Sequence, residues 1–479
     1  TLYIIGDFEG MKMRVQEVLK RAKTLKEKLR AYFTLVQSLG ALGHVSDAIG
    51  TTMMVVSQLG ETFPICVTKE TAKFDVTNTQ DLLRTKADSE PLSKVMTDTE
   101  KLEVMKFLHQ ILTYCFAEKK EYFPFVAGRC VRLSLTHGIC RESAYSFACH
   151  GVILYTMGDF PAAYHMGKTA LSILTKFQAK EYLAKVYLAV FGAINPAVEP
   201  LQATLPCLKE GVATGLATGD NEYAMLCAHV YLGSAMFSGK ALGPLMSEME
   251  VYSKQMLEYK QHYSLILTEP IRTFILELIG RETSTKPTFE SIGETSSRAE
   301  VHSTHLKSIY NIWAKYLFCD VTSAWEVIEG SLSKQSTGER LVSTFIRTFY
   351  TCLTAIAMAR REARKDTYTK IAKDGIAQMK VWTASTPWNR EHKLGLMQAE
   401  YFYLEGDIIE ADKAYRNAVE LAGKRSYIHE QALALERAGI FHSECGDQHM
   451  ASQCFEKAYV CYTEWGAHSK AAHVMERYL

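Results

Sequence analysis

Gly167-Lys168-Thr169 is the part of this chain that most resembles a phosphate-binding element. A phosphate loop, however, needs a further glycine five positions before the Gly-Lys pair, and Ala162 stands there. It also needs a strand before the loop, so that free backbone N–H groups can point at the phosphates. Here the tripeptide sits inside a stretch with helical apolar spacing, whose N–H groups are already bonded, and a chance match is expected. His442, Cys445, His449 and Cys454 are the donor types that zinc takes. Their spacing matches no paired-ligand pattern, and no metal is expected there. Glu248 and Glu250 bring two carboxylates together in sequence, but residues two apart on a helix do not face each other, so a solvated face is expected. A Gly-x-Ser-x-Gly elbow, HExxH, a GxGxxG after a strand and DDxxD are all missing. No catalytic, cofactor-binding or metal residue is therefore nominated, and this segment is expected not to be an enzyme. An all-α toroid hydrolase, whose acids need no motif, is a minor alternative.

The elements around these residues are more informative. Glycine-centred strings recur between long apolar-periodic stretches: GDFEGM (6–11), GHVSDA (43–48), GDFPAA (158–163), GDNEYA (219–224), GDIIEA (406–411) and GDQHMA (446–451). Each has the chemistry of a turn between two helices. Glycine takes the left-handed conformation that ends the first helix. Asp, where present, accepts from the open N–H groups of the second and suits its positive end. A small residue five positions after the glycine (Met in the first string) lets the helices approach. Pro161 falls in the first turn of its helix, where its missing N–H costs nothing.

The tetratricopeptide pattern is strongest near the C-terminus. Ala411, Tyr415 and Ala418 follow Gly406 at the same offsets as Ala451, Phe455 and Ala458 follow Gly446, and Gly439 takes the small position of a first helix. Gly151, Gly158, Ala163 and Ala170 repeat the pattern over 144–176. A degenerate copy at 316–328 puts Cys319 in the glycine place and Ala324 in the small one. The expected fold is an all-α, TPR-like α-α superhelix, a solenoid of antiparallel helical hairpins with an irregular period. Residues 1–280 and 301–479 read as its two parts, with 281–300 as a polar connector. Residues 74–99 and 385–391 also read as connectors. Tyr, Arg and Lys left over on inner helices would line a concave groove.

The 479 residues carry 54 basic and 53 acidic side chains, which gives no overall field for nucleic acid or an anionic membrane. No apolar run is long enough for a membrane span, and no signal peptide opens the chain. Twelve cysteines without CxxC pairs, many inside apolar runs, fit buried thiols in a reducing cytoplasm. The chain starts in mid-pattern without Met, which fits a piece of a longer protein.

Several strings carry a family resemblance. They are ALGHVSDAIGTTMMVVSQLGETFP (41–64), LSLTHGICRESAYSFACHGVILYTMGDFPAAYHMGKTALSIL (133–174) and PLQATLPCLKEGVATGLATGDNEYAMLCAHVY (200–231), followed by 386–422 and 430–478. The closing string, with Tyr462, Trp465-Gly466-Ala467 and Lys470, is the most specific. Together they resemble the helical region that follows the ATPase module in large signal-transduction ATPases, which also carry protein-kinase-like, GAF and histidine-kinase or cyclase domains. The segment 281–300 is more polar than the family pattern. The resemblance implies a non-catalytic, protein-interacting regulatory arm whose partners are other proteins or the neighbouring ATPase and kinase domains. It carries over no catalytic residue. A stand-alone TPR scaffold or adaptor is the alternative.

Overall fold

The structure, a computed structural model, describes residues 8–41, 44–64, 67–86, 94–118, 121–281, 297–332, 342–361 and 365–479. Among them the chain is all-α, with one isolated parallel bridge in which Met96 N–H donates to Ile139 O and Ile139 N–H to Lys94 O, both at 2.9 Å. Contacts divide the chain into two compact units, Thr1–Ala189 and Val190–Leu479.

The first unit contains α1 (Phe8–Arg21), α2 (Leu25–Ala41), α3 (Val45–Gln58), α4 (Lys69–Lys86), α5 (Thr99–Glu118), α6 (Tyr122–His137), α7 (Ser143–Met157), α8 (Phe160–Phe177) and the short α9 (Leu183–Ala189). The second begins with a π-turn (Val190–Ile194) and a 3₁₀ turn (Asn195–Ala197). Its helices are α10 (Leu201–Thr218), α11 (Asn221–Phe237), α12 (Leu242–Glu258), α13 (His262–Ile279), α14 (Ser297–Leu317), α15 (Val321–Leu332), α16 (Val342–Ala359) and α17 (Lys365–Ser385). It ends with α18 (Pro387–Glu405), α19 (Ile408–Lys424), α20 (Ile428–Glu444), α21 (Gln448–Trp465) and α22 (His468–Tyr478).

The glycine strings within the described residues form the expected turns. Gly158, Gly219, Gly406 and Gly446 all have φ between 82° and 91°. In each, the following Asp donates its N–H back five residues, as Asp159 does to Leu154 O at 3.0 Å, and its side chain caps the next helix, as Asp447 Oδ1 does for Met450 N–H at 3.0 Å. Cys319 takes this place without being glycine: its φ is 63°, Asp320 N–H reaches Lys315 O at 2.9 Å, and Ala324 is fully buried. Gly6 and Gly43 lie outside the described residues. The small positions do close the hairpins. A Cβ on Gly439 would come within 2.6 Å of the Phe455 ring, and one on Gly395 within 3.4 Å of Ala418 Cβ.

Residues 74–99 differ from expectation. Their first part belongs to α4, whose Ala72, Val76 and Thr79 are buried and whose Asp75 accepts from Arg132 Nη1 on α6 at 2.8 Å. Polar composition hid the helical spacing of those buried positions. The last four residues of the polar stretch 281–300 are the first turn of α14, which packs on α13 inside the second unit; residues 282–296 lie outside the described part. By length and composition one helix among the described residues, α16, is apolar enough to cross a bilayer. In the fold it is a core helix, mostly buried against α14, α15, α17 and α18.

Within the second unit, the last helices turn back on the middle ones. Trp313 of α14 stacks on Tyr350 of α16 at 5.2 Å and meets Phe274 of α13 at 4.8 Å and Phe237 of α11 at 6.3 Å. It also lies 6.4 Å from Trp465 of α21 and 5.8 Å from His429 of α20. Aromatic rings therefore pack where these helices meet.

Candidate functional site

The densest chemistry lies on the inner faces of α18 and α20. The stretch 385–391 is not a connector. Pro387 starts α18, where its missing N–H is harmless, and Thr386 Oγ1 accepts from Arg390 Nη1 at 2.8 Å. From there Asn389, His392, Lys393, Leu396, Met397 and Glu400 follow at three- and four-residue spacing, and all are buried. On α20, Glu430, Leu433 and Glu436 do the same.

Three buried carboxylates anchor this seam. Glu430, 3% exposed, accepts from Lys393 Nζ at 2.7 Å and pairs closely with His392 Nε2. Burial alone would raise its pKa, but Lys393 and His392 hold it well below the usual carboxylate range. Burial lowers Lys393 against the pull of Glu430, and lowers His392 to about 4. Glu400, fully buried, receives Arg437 through Nε at 2.7 Å and Nη2 at 3.0 Å, and the Tyr415 hydroxyl at 2.7 Å. Burial opposes its ionisation, but Arg437 and Arg360 keep its pKa low. Glu436 receives Lys470 Nζ at 2.6 Å and the Tyr462 hydroxyl at 2.9 Å; Lys470 also donates to Leu317 O, tying α22 to α14.

Asn389 ties α18 to the segment before α10. Its Nδ2 donates to Pro196 O and Glu199 O, both at 2.9 Å, while its Oδ1 accepts from Leu201 N–H at 2.9 Å and Tyr427 OH at 2.7 Å. The Arg390 guanidinium lies 3.8 Å over the Phe345 ring and donates to Trp382 O at 3.0 Å. The cavity between Pro196, Leu201, Phe345, Arg390, Lys393 and Tyr427 measures about 20 Å³. That is room for one water and too little for an organic substrate. Arg390, Lys393, Tyr427 and Arg437 are thus engaged inside the unit.

The residues singled out by sequence fall elsewhere. Gly167, Lys168 and Thr169 lie in mid α8, with Lys168 Nζ 4.9 Å over the Tyr164 ring. His442 Nε2 is 3.5 Å from Asp412 Oδ1, and exposed His449 accepts from Gln453 Nε2 at 2.9 Å; Cys445 is exposed and Cys454 buried. Among the described residues no group of three His, Cys, Asp or Glu side chains is placed to hold a metal ion. Glu250 is exposed, whereas Glu248 is partly buried and collects Lys209, Lys240 (both 2.7 Å) and Tyr231 OH (2.5 Å). Burial raises Glu248, but these three donors bring it down to about 2.

In the first unit, Glu61 is 3% exposed and held by Lys101 Nζ and Arg129 Nε at 2.6 and 2.7 Å. Burial pushes the Cys115, Cys130 and Cys140 thiols up to about 12, which leaves them protonated and unreactive at neutral pH. No protein-family model matches the chain, and no curated protein sequence matches it.

Proposed function

We propose that this chain is a non-catalytic, protein-binding regulatory arm of helical repeats, working beside the ATPase or kinase domains of a larger signal-transduction protein in the cytoplasm. The observation that carries the reading is the internal pairing of the buried charges of α18, α20 and α22. Glu400, Glu430 and Glu436 each face a cation and at least one further donor, an arrangement that stiffens a scaffold and leaves none of these three carboxylates free to act on a substrate. Hairpins joined by Gly-Asp turns are the architecture of protein-binding repeats. A toroid hydrolase would need two carboxylates facing each other across an open cavity, whereas Glu400, Glu430 and Glu436 face cations. The ATPase and kinase neighbours rest on family likeness alone. Nearly balanced charge leaves nucleic acid and membrane outside this reading.

The test is ATP turnover by the parent protein with this chain present, deleted, and added back as a separate polypeptide. A regulatory arm changes turnover by about 5- to 150-fold on deletion, restores it when added back, and hydrolyses nothing alone. Unchanged turnover on deletion, or turnover of a small molecule by the chain itself, defeats the proposal.

A further inference from the structure

Two histidines flank one buried carboxylate at the joint between the last and middle helices of the second unit. His392 Nε2 closes on Glu430 Oε2, and His429 Nε2 lies 3.5 Å from the other oxygen, Oε1. Both side chains are 1% exposed. His392 Nδ1, both nitrogens of His429 and Glu430 Oε1 have no hydrogen-bond partner. The His429 ring sits between Trp465 at 5.1 Å and Trp313 at 5.8 Å, hard against Gly239, where a Cβ would come within 2.6 Å of Nδ1.

We propose that His392 and His429 form an acid-sensitive clasp, whose protonation releases α20 and α21 from α14 and uncovers the aromatic cluster around Trp313. The argument is one of charge. The charged groups acting on the two rings are Glu430 on α20, Lys393 on α18 and each other, with Arg390 adding to the positive side through Lys393. The faces from the remaining elements are Tyr427 before α20, Trp313 on α14, Trp465 on α21 and the Gly239 turn after α11, and none of these supplies an anion. Glu430 is already matched by Lys393, so each added proton is a buried positive charge without a counter-charge.

The sign follows from linkage. Burial lowers both histidines, His392 to about 4, while in an opened state they return to about 6.5. The closed form is therefore fully favoured above about pH 6.5 and loses ground as pH falls toward 4. The closed-to-open ratio falls up to about tenfold per pH unit for each histidine, or about 100-fold for both. Opening moves Trp313, Trp465 and Tyr350, all at most 1% exposed, toward water.

Hydrogen exchange on the full chain at pH 7.5 and pH 5.0, corrected for intrinsic rates, tests this. Protection of α14 and α20–α21 is expected to fall at least about 20-fold in the parent, the share that His392 supplies by itself. In a His392→Gln/His429→Phe double variant it should fall less than about tenfold, since neither replacement titrates in this range. His229, also buried and lowered to about 4 but bonded to Thr268 at 3.1 Å between α11 and α13, is the control. If the double variant keeps the parent's response, or His229→Gln alone abolishes it, the clasp is refuted. Should the double variant fail to fold, the parent labelled with ¹⁵N-histidine decides. Two buried rings must gain protons together with the loss of protection; rings that titrate near 6.5 while α20 stays protected overturn the proposal.

Discussion

Glu400 is the carboxylate whose removal says most about how the second unit holds together. It is completely buried, takes two hydrogen bonds from Arg437 and one from Tyr415, and lies 3.7 Å from Arg360. Glu400→Leu strands the Arg437 guanidinium, whose side chain is only 14% exposed, and unpairs a buried hydroxyl. Breaking a buried pair in this way costs about 4 kcal/mol. Arg437→Met leaves Glu400 with Tyr415 and the more distant Arg360, and should cost somewhat less, about 3 kcal/mol. The double variant Glu400→Leu/Arg437→Met removes both charges and replaces them with apolar volume, so its loss should be no more than about 2 kcal/mol. Urea unfolding of the full chain at pH 7.5, followed in all four proteins of the cycle, measures the coupling directly. A Glu400→Leu loss below about 1 kcal/mol, or a double variant as damaged as the two singles added together, would refute the claim that this pairing holds α18 to α20.

Three further outcomes follow from single positions. Gly439→Ala drives a methyl group into the Phe455 ring and should cost about 1–3 kcal/mol in thermal unfolding, whereas Gly395→Ala, with ordinary room beside Ala418, should fall within about 1 kcal/mol of the parent because helix propensity offsets the crowding. Cys319→Gly relieves a left-handed residue with φ of 63° and should stabilise the chain by about 0.5–1 kcal/mol; a loss of stability would mean that the Sγ contact with Tyr478 OH at 3.7 Å matters more than the backbone. A thiol reagent at pH 8 should modify exposed Cys445 first and reach Cys115, Cys130 and Cys140 only in denaturant, since their pKa of about 12 keeps them protonated until strongly alkaline pH.

The turns were legible in the amino-acid sequence because their chemistry is local. Glycine, aspartate and a small residue at fixed offsets determine the geometry at 158, 219, 406 and 446 whatever packs outside, and even Cys319 was recognisable from its neighbours. The polar seam was not legible, because it depends on partners far away in the chain, such as Asn389 with Pro196 and Lys470 with Leu317. A signal was nevertheless present. Asn389, His392, Lys393 and Glu400 occupy the same helical stripe as Leu396 and Met397, and Glu430 and Glu436 share one with Leu433. Charged residues placed where a core face should be apolar are themselves a sign of buried pairing. The stretch 385–391 reads as a connector by composition, yet Pro387 marks the start of α18.

Lys470 gives the second unit a mechanical property that repeats in series lack. Through Lys470, α22 grips both Glu436 on α20 and the last carbonyl of α14, so a pull on the C-terminus loads helices more than 150 residues upstream at the same instant as its neighbours. Tension cannot peel the hairpins away one at a time from that end. It must first shear a buried ion pair, and the unit should therefore resist stretching up to a single threshold and then yield in one large step.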